Sequence, residues 1–335
     1  MKCKLIILLC CAVSSGVYSF SFPEESDSYR GLIVEQILNS QFNEALSICD
    51  SLIRQNPSDP LPSVLKLAVI GMRNVDFEKV VDSAGFISSY NKAIDLVTEY
   101  QKREGISSYS KTLEGLCKAI HATFYLHIKS YIPSLQNGFN ALKLLQEAKD
   151  LDSSNAEADF FLGLYDYARA ELRSRLWWIL FWYPGNRESG IRKLENCSRS
   201  AELTGTAAKL SLCDIYTEEK KPERSLHLIK ELEKRYPQSR FVLWSKAKYY
   251  EAIQNYSLAA AAYEKLSDSY ALVPEGEYNS AVTRNKLAHM LVMNGEKEKA
   301  SRICEKLLCD KTVINDKTMR KDTERLLERI RNGDS

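Results

Sequence analysis

The chain is short of the residues that make turns. It has 14 glycines and 9 prolines in 335 residues. An all-β chain needs turn residues after each short strand, so this scarcity argues against one. It also lacks an excess of either charge. Lys and Arg total 46 and Asp and Glu total 44. Lys2 and Lys4 are the only charged residues in 1–19, so the rest of the chain is balanced. A nucleic-acid binder carries a basic stripe or a high isoelectric point. Neither is present, and no nucleic-acid partner is expected. Histidine is rare, at positions 121, 127, 227 and 289. His121 and His127, six apart, fall on different faces of a helix. No Walker loop, HExxH, GxSxG or GxGxxG occurs. There is no CxxC for redox work and no clustered ligand set for zinc. The expectation is a protein that is not an enzyme, with no catalytic residue, metal or cofactor.

Long apolar runs are missing too. Beyond residue 19 none reaches the roughly 20 residues needed to cross a bilayer as a helix. Residues 1–19 read as a signal peptide. Lys2 and Lys4 supply its positive start, and Leu5 to Val13 its apolar stretch. A small and polar stretch ends at Ser19, where cleavage is expected. The chain is thus expected to be exported, to a bacterial periplasm in the first instance. A secreted protein, or one anchored by an uncleaved leader, are the alternatives. Cys3, Cys10 and Cys11 leave with the leader. Six cysteines then remain in a compartment that permits disulfides.

What is present is helical periodicity. Residues 42–57 read FNEALSICDSLIRQNP, with apolar residues at spacings of three and four and an Asn-Pro stop. Ala45, Cys49, Leu52 and Pro57 in this stretch resemble positions 20, 24, 27 and 32 of a tetratricopeptide repeat. The same frame recurs. It gives Ala141, Leu145 and Ala148 in a repeat begun at Ala122, where Ile128 is the first-helix apolar residue. It gives Gly163, then Gly190, Leu194 and Cys197 after an insertion. It gives Cys213, Ser225, Ile229 and Leu232; then Ala247, Ala259, Tyr263 and Leu266; then Ala288, Ala300, Cys304 and Leu307. A fixed period of this length marks a repeat array. The resemblance implies an all-α, right-handed superhelical solenoid of antiparallel helix pairs. The expected repeats lie near 26–59, 60–104 (degenerate), 122–155, 156–203, 206–239, 240–273 and 281–314. A cap helix is expected over 318–331, and 20–335 is read as one domain.

In this register Cys49, Cys197, Cys213 and Cys304 sit where helices pack, so they read as small buried hydrophobes rather than reactive groups. The family binds peptides or helices in a groove lined by repeat positions 5, 9 and 12. Carried onto this chain, that implies a protein partner held by Phe160, Leu164, Tyr167, Asp214, Trp244, Lys248, Asn285 and His289. The segment Leu176–Tyr183 holds Trp177, Trp178, Phe181, Trp182 and Tyr183. It admits three readings: core filling, an exposed patch for a partner, or an anchor to a membrane surface. The last makes a membrane-surface organiser the alternative to a protein-binding scaffold.

Overall fold

The computed structural model describes residues 24–175, 186–202 and 204–332. The expected leader 1–19 and the aromatic segment 176–183 lie outside them. Among the described residues the chain is all-α, with sixteen α-helices and no strand. The helices come as consecutive hairpins: α1 Glu24–Leu38 with α2 Phe42–Gln55, α3 Pro60–Asp76 with α4 Ser83–Glu104, α5 Ser108–His127 with α6 Tyr131–Leu151, and α7 Ala156–Arg175 with α8 Arg187–Ser200. Three more follow: α9 Thr204–Glu218 with α10 Pro222–Arg235, α11 Arg240–Ala252 with α12 Tyr256–Ala271, and α13 Glu277–Met293 with α14 Lys297–Leu308. Short α15 Lys311–Asn315 and the longer α16 Lys317–Asn332 close the chain. It divides into two compact units, one ending at Leu212 and the other beginning at Cys213.

With so little glycine and proline, the turns inside the hairpins are built another way. Ser40, Glu78, Lys129, Lys220 and Gln254 each adopt a positive φ between 51° and 62°, and Gly295 does so at 85°. Each follows the end of a first helix. There the next backbone N–H reaches back five residues, as from Ser130 to Tyr125 O (2.8 Å), Lys221 to Tyr216 O (2.8 Å) and Glu296 to Leu291 O (2.8 Å). This left-handed closure satisfies carbonyls at the helix end. A side chain there costs on the order of 1 kcal/mol that glycine avoids. Helix starts are held by side chains. Asp59, Asp82, Ser107, Asn186, Ser239 and Asn255 each accept from a backbone N–H of the first turn.

The core follows the repeat frame. Ala45, Cys49, Ala141, Leu145, Ala148, Leu194, Cys197, Ile229, Leu232, Ala259, Tyr263, Leu266, Ala300, Cys304 and Leu307 are all buried. Small residues let paired helices approach. A Cβ on Gly163 of α7 would stand 2.9 Å from Gly190 O and 3.0 Å from Leu194 Cγ of α8. One on Gly190 would stand 2.7 Å from Gly163 O. In α5 and α6 the same contact is made by Gly115, whose added Cβ would lie 2.8 Å from Leu145 Cγ.

That contact corrects the third repeat. The 122–155 frame starts it inside α5, and Ile128 caps that helix with 46% of its surface exposed. The first helix begins instead at Ser108, with Gly115 as its eighth residue. Uninterrupted spacing would put the twentieth position at 127. The small residue facing Gly115 is Ala141, so the hairpin carries fourteen extra residues. Counted from Ala156, α7 and α8 carry fifteen, since Gly190 stands where 175 would. The length added around the α5–α6 turn displaced the sequence frame.

One histidine is part of this core. His121 lies among Phe86, Tyr90, Phe124 and Tyr125, with ring centroids 3.8 Å from Tyr90 and 4.5 Å from Tyr125. Neither ring nitrogen has a hydrogen-bond partner of good geometry. Burial, helped by the Lys118 ammonium, pushes its pKa down to about 4; the Asn137 amide opposes this only in part.

Two predictions follow from this packing. Gly163→Ala should lower stability by about 1–3 kcal/mol, overpacking outweighing the gain in helix propensity. Gly138→Ala, with nothing within 4 Å of its added Cβ, should instead raise it by up to about 1 kcal/mol. Urea midpoints that move the same way for both would contradict the close-approach argument. Second, the unfolded chain protonates His121 near 6.5 and the folded chain only near 4. Between those values the unfolded state holds more protons, so stability falls as pH falls from about 6.5 to about 4 and levels off below. The loss from this group is at most about 3 kcal/mol. His121→Phe should flatten that limb in denaturant titrations, and an unchanged slope would assign it to other groups.

Candidate functional site

The residues expected to line a groove divide into two sets. Phe160, Leu164, Tyr167 and Asn285 are buried. Phe160, Gly163, Leu164 and Tyr167 recur at three and four along α7 and so share one face. That face packs inward: Phe160, Leu164 and Tyr167 are buried, and Tyr167 N stands 2.7 Å from where a Cβ on Gly190 would lie. Asn285 is covered by α16, donating from Nδ2 to Thr323 Oγ1 at 3.0 Å. These four hold the repeats together and do not front a groove.

The second set, all within the unit that begins at Cys213, is half-buried and organised. Asp214 on α9 pairs with Lys248 Nζ on α11, and Ser245 Oγ donates to its other oxygen at 2.8 Å. Glu251 on α11 pairs with Lys286 Nζ on α13 at 3.5 Å and accepts from Tyr263 OH at 2.6 Å. His289 on α13 meets Asp322 on α16 at 2.9 Å. Each pair joins one first helix to the next, with α16 in the place of a further first helix. The result is a ladder of two ion pairs and one imidazole–carboxylate contact, each joining successive first helices. Half-exposed pairs of this kind contribute about 0–1 kcal/mol each, so their value lies in register more than stability. Asp214, Lys248 and His289, expected from repeat positions, lie in this ladder; Glu251, Lys286 and Asp322, which were not among the expected residues, lie in it too, and Glu251 stands at position 12 of its repeat.

Trp244 adjoins the ladder through Tyr263, which donates to Glu251. Its Nε1 donates to Tyr270 OH at 3.0 Å, and its ring meets Tyr263 edge-on at 5.9 Å. The Arg240 guanidinium lies over the Tyr270 ring at 5.0 Å. The Tyr263 hydroxyl is pushed up, first by burial and then by the Glu251 carboxylate. Trp244 is thus a supporting aromatic as well as a half-exposed one. In the first repeat, Arg30 is also at position 5; unlike Trp244 it is buried, paired with Glu202 at 3.1 Å.

Among the described residues no group of three His, Cys, Asp or Glu could hold a metal ion. Within those residues, no helix is long and apolar enough to cross a membrane. The aromatics Trp177, Trp178, Phe181, Trp182 and Tyr183 lie outside them.

No family model matches the sequence. No curated protein matches it either. Solved structures similar to it are tetratricopeptide-repeat proteins. Against the APC/C hetero-tetramer Cut9–Hcn1 the TM-score is 0.56 at 12% identity, over 92% of this chain and 57% of that chain. A repeat-containing protein from Cytophaga hutchinsonii gives 0.43 at 16% identity, over 88% and 98% of the two chains. Yeast Tom70 gives 0.37 at 9%, over 92% and 90%. The likeness to Cut9–Hcn1 shows an all-α helical repeat fold of tetratricopeptide type, and at these identities it shows the fold alone.

All six cysteines in the described residues are free thiols, and only Cys309 is exposed. Burial pushes Cys49 and Cys117 up to about 12 and Cys304 to about 11, and raises Cys197 and Cys213 further. Of these six, a thiol reagent should label Cys309 in the native protein and reach the other five only on unfolding. Fast native labelling at a second of these positions, mapped by peptide mass spectrometry, would contradict that burial.

Proposed function

We propose that this chain is a non-catalytic scaffold that holds a protein partner, a peptide or helix, on the first-helix face of its second unit. The observation that carries this reading is the ladder Asp214–Lys248, Glu251–Lys286 and His289–Asp322. These groups set the register of four helices, and their partly exposed ends stay within reach of a partner's charges. Half-exposed pairs can trade a partner's charges for their own at small cost, because each is worth so little at rest. Half-exposed Trp244 supplies apolar area, the usual anchor in a protein interface, with buried Tyr263 holding its ring. The fold supports the reading too, since Cut9 is solved in a hetero-tetramer with Hcn1.

Export is part of the proposal. It rests on Lys2 and Lys4, the apolar stretch Leu5 to Val13 and the small residues up to Ser19. We place the chain in a bacterial envelope, with secretion or an uncleaved anchor as the alternatives.

Because Trp244 also supports its own helix, its truncation would mix folding with binding. The cleaner test swaps a pair: Asp214→Lys with Lys248→Glu keeps an ion pair and inverts its pattern. Tagged full-length protein, cross-linked in cells and captured, should bring down one dominant protein partner. The swapped variant should recover about tenfold less of it, at unchanged helicity, a loss of about 1.4 kcal/mol. Equal recovery by both proteins would remove this face from the site. The captured protein's own N-terminus tests export: a start at Phe20 supports it, and retention of residues 1–19 favours the uncleaved anchor.

A further inference from the structure

The second helix of the third hairpin is one of the two long second helices. α6 has 21 residues and α4 22, against 14 in α2, α8 and α10, 16 in α12 and 12 in α14. Its core-facing residues, Ser134, Ala141, Leu145 and Ala148, form one stripe. Its first turns belong to the fourteen-residue insertion and carry a second stripe. Tyr131, Ile132, Leu135 and Phe139 are 58%, 71%, 61% and 54% exposed. At 3.6 residues per turn these four fall within an arc of about 100°. Ile128, just ahead of the helix, is exposed beside them. Single exposed apolar residues are ordinary, but five contiguous large ones form a patch.

The charge around this patch has one sign along the chain. Between Glu114 and Glu147 lie 32 residues without a carboxylate and with three lysines, Lys118, Lys129 and Lys143. Lys118 is held by Tyr90 OH at 2.9 Å. Lys129, in the turn, and Lys143, 78% exposed and 4.0 Å from Glu147, flank the two ends of the stripe; Glu147 is held closer by Lys111 at 2.8 Å. The neighbouring acid on the α3–α4 turn, Glu78, acts on His127 at the end of α5.

We propose that the exposed start of α6 docks on an anionic lipid surface. Insertion of a short apolar stripe, with aromatic residues at headgroup level and lysines against lipid phosphates, is how interfacial helices bind. A second copy of the chain fits less well. Five partly exposed side chains offer a few hundred Å², short of the roughly 800 Å² per partner of a standard interface. Like charges at Lys129 and Lys143 would also face each other across it. The surface lies in the first unit and stands independently of the ladder.

Co-sedimentation of the full chain with phosphatidylcholine vesicles, with and without phosphatidylserine, tests this. Wild type should pellet with the anionic vesicles. Ile132→Ser with Leu135→Ser and Phe139→Ser should lose about tenfold or more of the bound fraction, at unchanged helicity because all three are solvent-facing. Lys129→Glu with Lys143→Glu should lose binding to the anionic vesicles and leave any binding to neutral ones unchanged. Wild type that stays in the supernatant overturns the proposal, as does binding that persists in the triple serine variant. A dimer in sedimentation velocity that the serine variant dissolves, without vesicle binding, overturns it in favour of a second copy. The ladder swap should leave vesicle binding intact, which separates this result from the scaffold test.

Discussion

Everything in this chain depends on helices of a pair coming close enough to share one core. A hairpin of two short helices cannot bury its apolar side alone; it must pack on the next. Gly163 against Gly190, and Gly115 against Ala141 and Leu145, set that approach at distances where a further methyl would collide. The buried second-helix residues from Ala45 to Leu307 then repeat one solution along the chain. The turns are made by whichever residue tolerates a left-handed backbone. Six of them are, but only Gly295 is a glycine. Small strain at each turn is accepted because packing on both sides determines the geometry.

Once the core is carried by second helices and the inner edges of first helices, the outer faces are free to diverge. In the second unit the first helices are joined by two ion pairs and a His289–Asp322 contact on α16. α16 does for α13 what a further repeat would have done, covering Asn285 and pairing His289. In the first unit the divergence is in length. Fourteen extra residues lengthen α5 and α6; their inner side joins the core through Phe124 and Ser134, and their outer side is apolar and flanked by lysine. Core and surface thus follow separate constraints, which is why one fold can carry two distinct faces.

Much of the fold was legible because burial in a helix pair repeats with a period that residue types record. Ala45, Cys49, Ser225, Ile229, Ala259, Tyr263, Ala300 and Cys304 stand at the expected positions and are buried. The frame failed at Ala122 because insertions inside a hairpin keep the second-helix spacing and move the first helix. Only the facing partner of Gly115 reveals the shift. The groove residues were less legible for a related reason. Repeat positions fix a direction on a helix but not what lies opposite. Phe160, Leu164 and Tyr167 point where the frame says, into packed neighbours. Asp214, Lys248 and His289 point toward partners on adjacent first helices.

The sequence by itself determined the helical repeat, the identity of most core residues and the burial of Cys49, Cys197, Cys213 and Cys304, because each depends on local period and residue size. The tertiary structure alone decided which outward positions are covered and which are paired across helices. It also decided that the start of α6 stands bare. Those outcomes depend on side chains dozens of residues apart meeting at a few ångströms, as Lys286 meets Glu251 at 3.5 Å, and spacing along one helix does not record such meetings.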